Sequence, residues 1–467
     1  MAPEDWAKLD KLTKFLGDPA SSSKDASAVL EPALAMLDAA IPGPVPSDKP
    51  IADAVLNVDT LARVPPVSKR GTALSQSYTE DNPGLALPIL ITEESLQAPL
   101  LCSFSSGNTA SCDSLESLAS VKGHGLRMLG TSDASSQSLI FAGRRGSEGV
   151  FVAGDSEPVA KLYSYGGYTS ADGTISVLGW DIDNRNIVLV RKPPGKAPEH
   201  TTLKPNFRVG NYFYSSQLLW DQVLVRGITP DNERRLFTLP LNSQGTNSFE
   251  MVDIGELTEP GVIRRGEEEA PHITGCRTKT ATIVRVRGNS DDFITFEVNG
   301  KFSMPVFAPT SGVLGCHGTT ATLVTTGYAK SGTRLYHTAC TSAGCNNRTL
   351  KAAALDRGLI EMRPESVEDV QAVDLAGKLL TVWRAGSRGG LRMRIAKPEL
   401  FEKSPDTVLF DDLIDKHKLT DISTLLGFRL YSREDFAVLL LSSMAGLHAY
   451  RISPDGSVKP FTVKGGG

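Results

Sequence analysis

The 467-residue chain has few of the features that usually assign a function. No stretch approaches the roughly 20 consecutive apolar residues that a membrane-spanning helix requires. No Lys/Arg-rich run occurs, and with Lys+Arg 49 against Asp+Glu 53 the formal net charge is -4, so a nucleic-acid partner is not expected. Histidine is scarce at 7 residues, and none sits in a recognisable acid–base motif. There is no Gly-x-Ser-x-Gly elbow, phosphate loop, dinucleotide fingerprint or His-Glu-x-x-His pattern. The expectation is therefore a non-catalytic chain with no catalytic residue, no cofactor and no metal. The opening Met1-Ala2-Pro3-Glu4-Asp5-Trp6 carries acids where a signal peptide carries Lys/Arg, which leads to the expectation of a soluble cytoplasmic protein.

Cysteine is sparse too, at 6 residues, but its placement is informative. Cys102 and Cys112 are symmetric about Gly107, and Cys340 and Cys345 flank the turn Thr341-Ser342-Ala343-Gly344. In antiparallel hairpins both pairs would face one another at disulfide distance. Reduced, half-buried thiols are the expectation for a cytosolic chain, with export as the alternative if these pairs are oxidised. Cys316-His317, His337, Cys340 and Cys345, with His272 and Cys276 one repeat earlier, invite a zinc reading. Cys276 and Cys316 occupy equivalent repeat positions, however, and so read as core sites in different units.

What the chain does contain is repetition. Gly275-Cys276-Arg277-Thr278-Lys279-Thr280-Ala281-Thr282-Ile283-Val284 matches Gly315-Cys316-His317-Gly318-Thr319-Thr320-Ala321-Thr322-Leu323-Val324 at six of ten positions. Eight hairpin-like units follow one another: Pro99–Ser114, Ser138–Gly154, Ile175–Arg191, Gln222–Leu241, Ala281–Val298, Ala321–Cys340, Leu379–Ala396 and Ala437–Ser453. Phe293 to Val298, the turn Asn299-Gly300, then Lys301 to Met304 is the clearest of the hairpins. Asp172-Gly173 and Asp455-Gly456 read as further turns. A spacing of about 48 residues per unit suits four-stranded blades. The chain thus resembles the β-propeller superfamily, which implies a mainly β fold with a single seven- or eight-bladed propeller. Eight blades follow if Pro99–Ser114 is a full unit, and seven if it belongs to the closure. Neither the sialidase-type Asp box nor the WD repeat is matched in full, although Trp180-Asp181 and Trp220-Asp221 echo the latter.

The first residues differ. Trp6, Leu9, Leu12, Phe15 and Leu16 fall at helical spacing, and a second helix is expected over 25–40 before the Pro-rich run at 41–46. The domain reading is a short α-helical N-terminal segment over 1–62, a linker over 63–83 and the propeller over 84–467. Residues 405–426 break the rhythm and read as an outer strand, Val408-Leu409-Phe410, followed by a helical insertion. A helical front end on a propeller resembles propeller components of bacterial conflict and defence systems. That resemblance implies a scaffold or sensor subunit binding a protein partner through Trp6 and the charged loop at Arg264 and Arg265. A propeller glycoside hydrolase or lyase is the alternative. A protease substrate cut in the linker is a third reading.

Overall fold

The computed structural model describes residues 72–73, 78–79 and 87–91, and most of 98–463 with internal breaks. The expected N-terminal helices, Trp6, Arg264 and Arg265, and the helical part of the 405–426 interruption lie outside the described residues. Within them the chain is mainly β, and its helical turns are short 3-10 segments such as Glu116–Val121 and Phe401–Lys403.

Among the described residues there are eight sheets arranged in chain order, antiparallel apart from two short parallel pairings. Each is centred on one of the hairpins expected from sequence. In the sixth, for example, Val313–His317, Thr320–Ala329, Gly332–Thr341 and Gly344–Lys351 pair each to the next. Residues alternate in and out along these strands, and both faces are apolar because each sheet is sandwiched between two others. Leu335 turns one way towards Val370 and Trp383 of the seventh sheet, whereas Cys340 turns the other way into a core shared with the fifth.

Eight apolar cores join the sheets in sequence. Leu90 and Ile140 share one between the first and second sheets, and Val150 and Val177 another between the second and third. The series continues to Leu391 and Leu439 between the seventh and eighth. The circuit then returns to its start, because Val438 and Leu440 of the eighth sheet pack on Ile89 and Phe104 of the first. Phe461 lies in this last core at 4.9 Å from the Phe104 ring, and the next residues, Thr462–Val463, add to the first sheet beside Thr109–Ser114. Sheets packed face to face in a closed circuit, with the last strand of the chain laid on the first sheet, are the architecture of a β-propeller.

One strand of each sheet is innermost: Leu87–Ile91, Arg127–Gly130, Tyr163–Thr169, Ser216–Leu219, Ile273–Arg277, Val313–His317, Val370–Leu375 and Leu425–Ser432 in turn. From the second sheet to the eighth, each inner strand touches the next. Glycine makes this approach possible: a Cβ on Gly166 would sit 2.6 Å from the Leu218 nitrogen, and one on Gly315 would sit 2.7 Å from the Asp374 Cβ. The near-repeat Gly275-Cys276/Gly315-Cys316 is therefore an inner-strand signature, with glycine where walls converge and cysteine turned into the core between them.

All six cysteines are paired, as Cys102–Cys112, Cys340–Cys345 and Cys276–Cys316. The first two pairs are directly opposed in their ladders, as their symmetry about the turns suggested. The reduced state expected for them is corrected. The third pair was not anticipated and joins the inner strands of the fifth and sixth sheets. With the thiols consumed in this way, Cys276, Cys316, Cys340 and Cys345 are not available as metal ligands.

Candidate functional site

The innermost strands end in turns that meet at one face of the circuit. The Thr278 hydroxyl donates to the Gly318 carbonyl at 2.6 Å, linking the turns of the fifth and sixth sheets. A Cβ on Gly377 would lie 3.6 Å from the His317 ring, which places the turns of the sixth and seventh sheets side by side. Lys378 carries the series on, its Nζ donating to the Pro454 carbonyl of the eighth sheet at 2.6 Å. On the other side, Arg277 pairs with Asp221 at 3.2 Å and lies 4.7 Å over the Trp220 ring. Trp220 takes φ 52° in a two-residue turn with Asp221, a hairpin role that explains the Trp-Asp dipeptide without a WD repeat.

His317 and Asp374 stand out on this face. His317 ends the inner strand of the sixth sheet and is exposed. Asp374 is the penultimate residue of Val370–Leu375, the inner strand of the seventh, and is only 7% exposed. It shares its strand face with Val370 and Ala372, both in the core against the sixth sheet. One carboxylate oxygen accepts the Gly377 N–H at 3.2 Å, and the other makes no hydrogen bond within normal limits. Burial pushes the Asp374 carboxyl up to about 6; the Gly377 N–H, the nearby His317 and the Thr322 hydroxyl pull weakly the other way.

The same inter-sheet space holds further buried polar groups without hydrogen-bond partners: both ring nitrogens of His337, the Thr381 hydroxyl and the Trp383 Nε1. His337 is on the third strand of the sixth sheet, and its burial, reinforced by the positive charge of Arg348, lowers its imidazole to about 4. Elsewhere, two buried arginines are matched by carboxylates. Arg285 donates to Asp292 at 2.7 Å within the fifth sheet. Arg394 donates to Asp406 at 2.6 Å and to the Phe401 carbonyl at 3.1 Å in the seventh. These pairs are structural, with both partners committed to each other. Among the described residues no group of three or more His, Cys, Asp or Glu is placed to hold a metal.

Sequence reading considered His317 and His337 only as zinc ligands and passed over Asp374. The missed signal was alternation: a carboxylate falls at the third of three same-face positions, 370, 372 and 374, whose other occupants are apolar. Asp172 and Asp455 are turn residues as expected. Each accepts hydrogen bonds from the Thr or Ser two residues on, and Gly173 and Gly456 take φ of 82° and 87°.

No protein-family model matches the chain, and no curated protein does. Solved structures do. The dihydro-haem d1 dehydrogenase NirN aligns at 12% identity over 84% of this chain and 87% of its own, with a TM-score of 0.40. A prolyl endopeptidase aligns at 9% identity over 72% of this chain and 48% of its own, at 0.37, so this chain spans about half of that protein's length. The β-propeller domain of the Trilobed protease from Pyrococcus furiosus aligns at 10% identity over 65% of this chain and 86% of its own, at 0.33. The likeness is one of fold class. Peptidases and a dehydrogenase are among the structures the chain aligns with. The expectation of a non-catalytic chain, which rested on the lack of local motifs, is corrected. The physical reason is that a propeller assembles its working residues from several blades, so a missing local motif says nothing about catalysis.

Proposed function

We propose that this chain is an eight-bladed propeller enzyme that uses His317 and Asp374 as a proton-transfer pair to cleave a glycosidic bond, by hydrolysis or elimination. The observation that supports the reading is a buried carboxyl, held near neutrality, beneath an exposed imidazole at the inner end of two adjoining sheets. A carboxyl poised at about 6 can keep or release a proton in the working range, which is what general acid–base catalysis needs. His317 is the group that reaches substrate. Asp374 is its proton-transfer partner, anchored by the Gly377 N–H in the turn that lies beside the His317 ring.

Eight sheets and eight intervening cores among the described residues support the count of eight, with Pro99–Ser114 lying in a full sheet. Three disulfides fit an oxidising compartment, and we place the protein outside the cytosol, where polymeric glycans are met. Peptide mapping without reduction should recover all three bridges from native material.

The test is release of reducing or unsaturated ends from a panel of neutral and acidic polysaccharides. His317→Ala should lower kcat by about a hundredfold or more, the usual size of a general acid–base contribution. Asp374→Asn should lower kcat less and flatten the pH profile near 6, with KM little changed. Activity that survives His317→Ala intact, or no activity on any glycan, overturns the reading.

A further inference from the structure

The cross-links of this chain are unevenly placed, and two ties between sheets enclose His317. Of the three disulfides, Cys102–Cys112 and Cys340–Cys345 each join the two strands of one hairpin. Cys276–Cys316 is the one that crosses from sheet to sheet, linking the inner strands of the fifth and sixth at a Cα separation of 6.4 Å. Two residues further on in both, the Thr278 hydroxyl donates to the Gly318 carbonyl at 2.6 Å. One tie therefore holds the residue before His317, and the other holds the residue after it. We propose that Cys276, Cys316 and Thr278 are positioning residues for His317, fixing its backbone against the fifth sheet so that the imidazole meets substrate and Asp374 in one place.

Both ties grow out of the near-repeat. Position 276 corresponds to 316 and position 278 to 318, so each tie joins equivalent residues 40 apart in the chain. The first tie uses what the two copies share, a cysteine turned into the core between them. The second uses what they do not share. Thr278 supplies a hydroxyl that accepts the Ala281 N–H at 3.1 Å and gives its hydrogen to Gly318 rather than to the Ala281 carbonyl, which is farther at 3.2 Å. Gly318 supplies a carbonyl from the turn between His317 and Thr320, where its φ of 56° carries no Cβ penalty.

Strand alternation passes the constraint to the imidazole. Cys316 turns into the core shared with the fifth sheet, so His317 turns the other way, to where a Cβ on Gly377 of the seventh sheet would lie 3.6 Å from its ring. The backbone is anchored on one side and the side chain works on the other. A reacting group must be held to within about 0.5 Å of its productive place. Apolar contact between sheets is non-directional and sets no such register, whereas a covalent bridge and a short hydrogen bond do. The clamp itself stands on these contacts. Its effect on turnover rests on the acid–base reading above.

Turnover and amide exchange of the full chain decide it, both read well below the thermal midpoint of every variant. The double variant Cys276→Ala, Cys316→Ala should lower kcat about tenfold or more with KM little changed, the size of loss that a small displacement of a reacting group causes. Cys340→Ala with Cys345→Ala removes a bridge from the same sheet and should leave kcat as in the wild type. Thr278→Val keeps the side-chain size, needs no covalent change and should also lower kcat. Thr278→Ser keeps the hydroxyl and should restore it. Bridge variants that lower only the thermal midpoint, or Thr278→Ser as slow as Thr278→Val, overturn the proposal. Amide exchange over 315–319 should quicken about tenfold in the Cys276→Ala, Cys316→Ala variant. Unchanged exchange there, with kcat still dependent on His317, would sink the clamp and spare the enzyme. Quickened exchange with His317→Ala fully active would sink the acid–base reading and not the clamp.

Discussion

Asp374 and His337 lie between the same two sheets and act on stability in opposite senses. Burial raises the Asp374 carboxyl from 3.8 to about 6, so the folded state holds that proton more tightly than the unfolded chain. Its contribution is fully present below pH 3.8 and is lost as pH rises to about 6, by up to about 3 kcal/mol. His337 is lowered from 6.5 to about 4, so its contribution is present above 6.5 and is lost as pH falls to about 4, again by up to about 3 kcal/mol. In the wild type the two slopes oppose each other between about pH 4 and 6. Replacing one group exposes the other. Urea midpoints of Asp374→Asn should fall steadily as pH drops from 6.5 towards 4, and those of His337→Gln should instead improve over the same range. Parallel curves for both variants would contradict the assigned environments. A third residue-scale expectation concerns matched charge: Asp292→Ala removes the carboxylate paired with buried Arg285 and should cost about 3–5 kcal/mol by denaturant unfolding.

At the scale of elements, the inner strands are the demanding ones. A Cβ on Gly166 would meet the Leu218 backbone, and the neighbouring sheet cannot yield without moving a whole strand. Gly166→Ala should therefore destabilise by about 1–3 kcal/mol, whereas Gly107→Ala, whose nearest neighbour would be the Ser105 hydroxyl at 3.8 Å, should change the midpoint very little. The same strands were the hardest to read in the sequence. Central hairpins such as Asp292–Val298 with Asn299-Gly300 declare themselves through long alternation and turn chemistry, and all eight were legible. Inner strands such as Ile273–Arg277 are short, buried on both faces and interrupted by glycine, so they carry neither period nor length. Thr72–Ala73 and Tyr78–Thr79, inside the stretch read as a linker, are shorter still. His317 and Asp374 belong to this illegible class. They lie 57 positions apart in the chain, and only the packing of two inner strands brings them together.

For the molecule as a whole, the repeat pattern indicated a ring but not how it closes. Closure depends on Phe461, fully buried between the Phe104 and Phe436 rings at 4.9 and 6.3 Å. Phe461→Ala should cost about 3–5 kcal/mol, more than an equal truncation on an outer strand, and should lower the thermal midpoint cooperatively across all sheets. A second, separate transition for one half of the chain would show that the ring is not a single cooperative unit. The disulfide between Cys276 and Cys316 adds a contrast. It rivets one junction of the hoop covalently, whereas the junction between the eighth sheet and the first is held by apolar contact and a strand of two residues. Pulled outward, the hoop should part at that lap joint and stay fastened at the rivet, so a tensile load would unroll the molecule from the lap joint and reach the fifth and sixth sheets last.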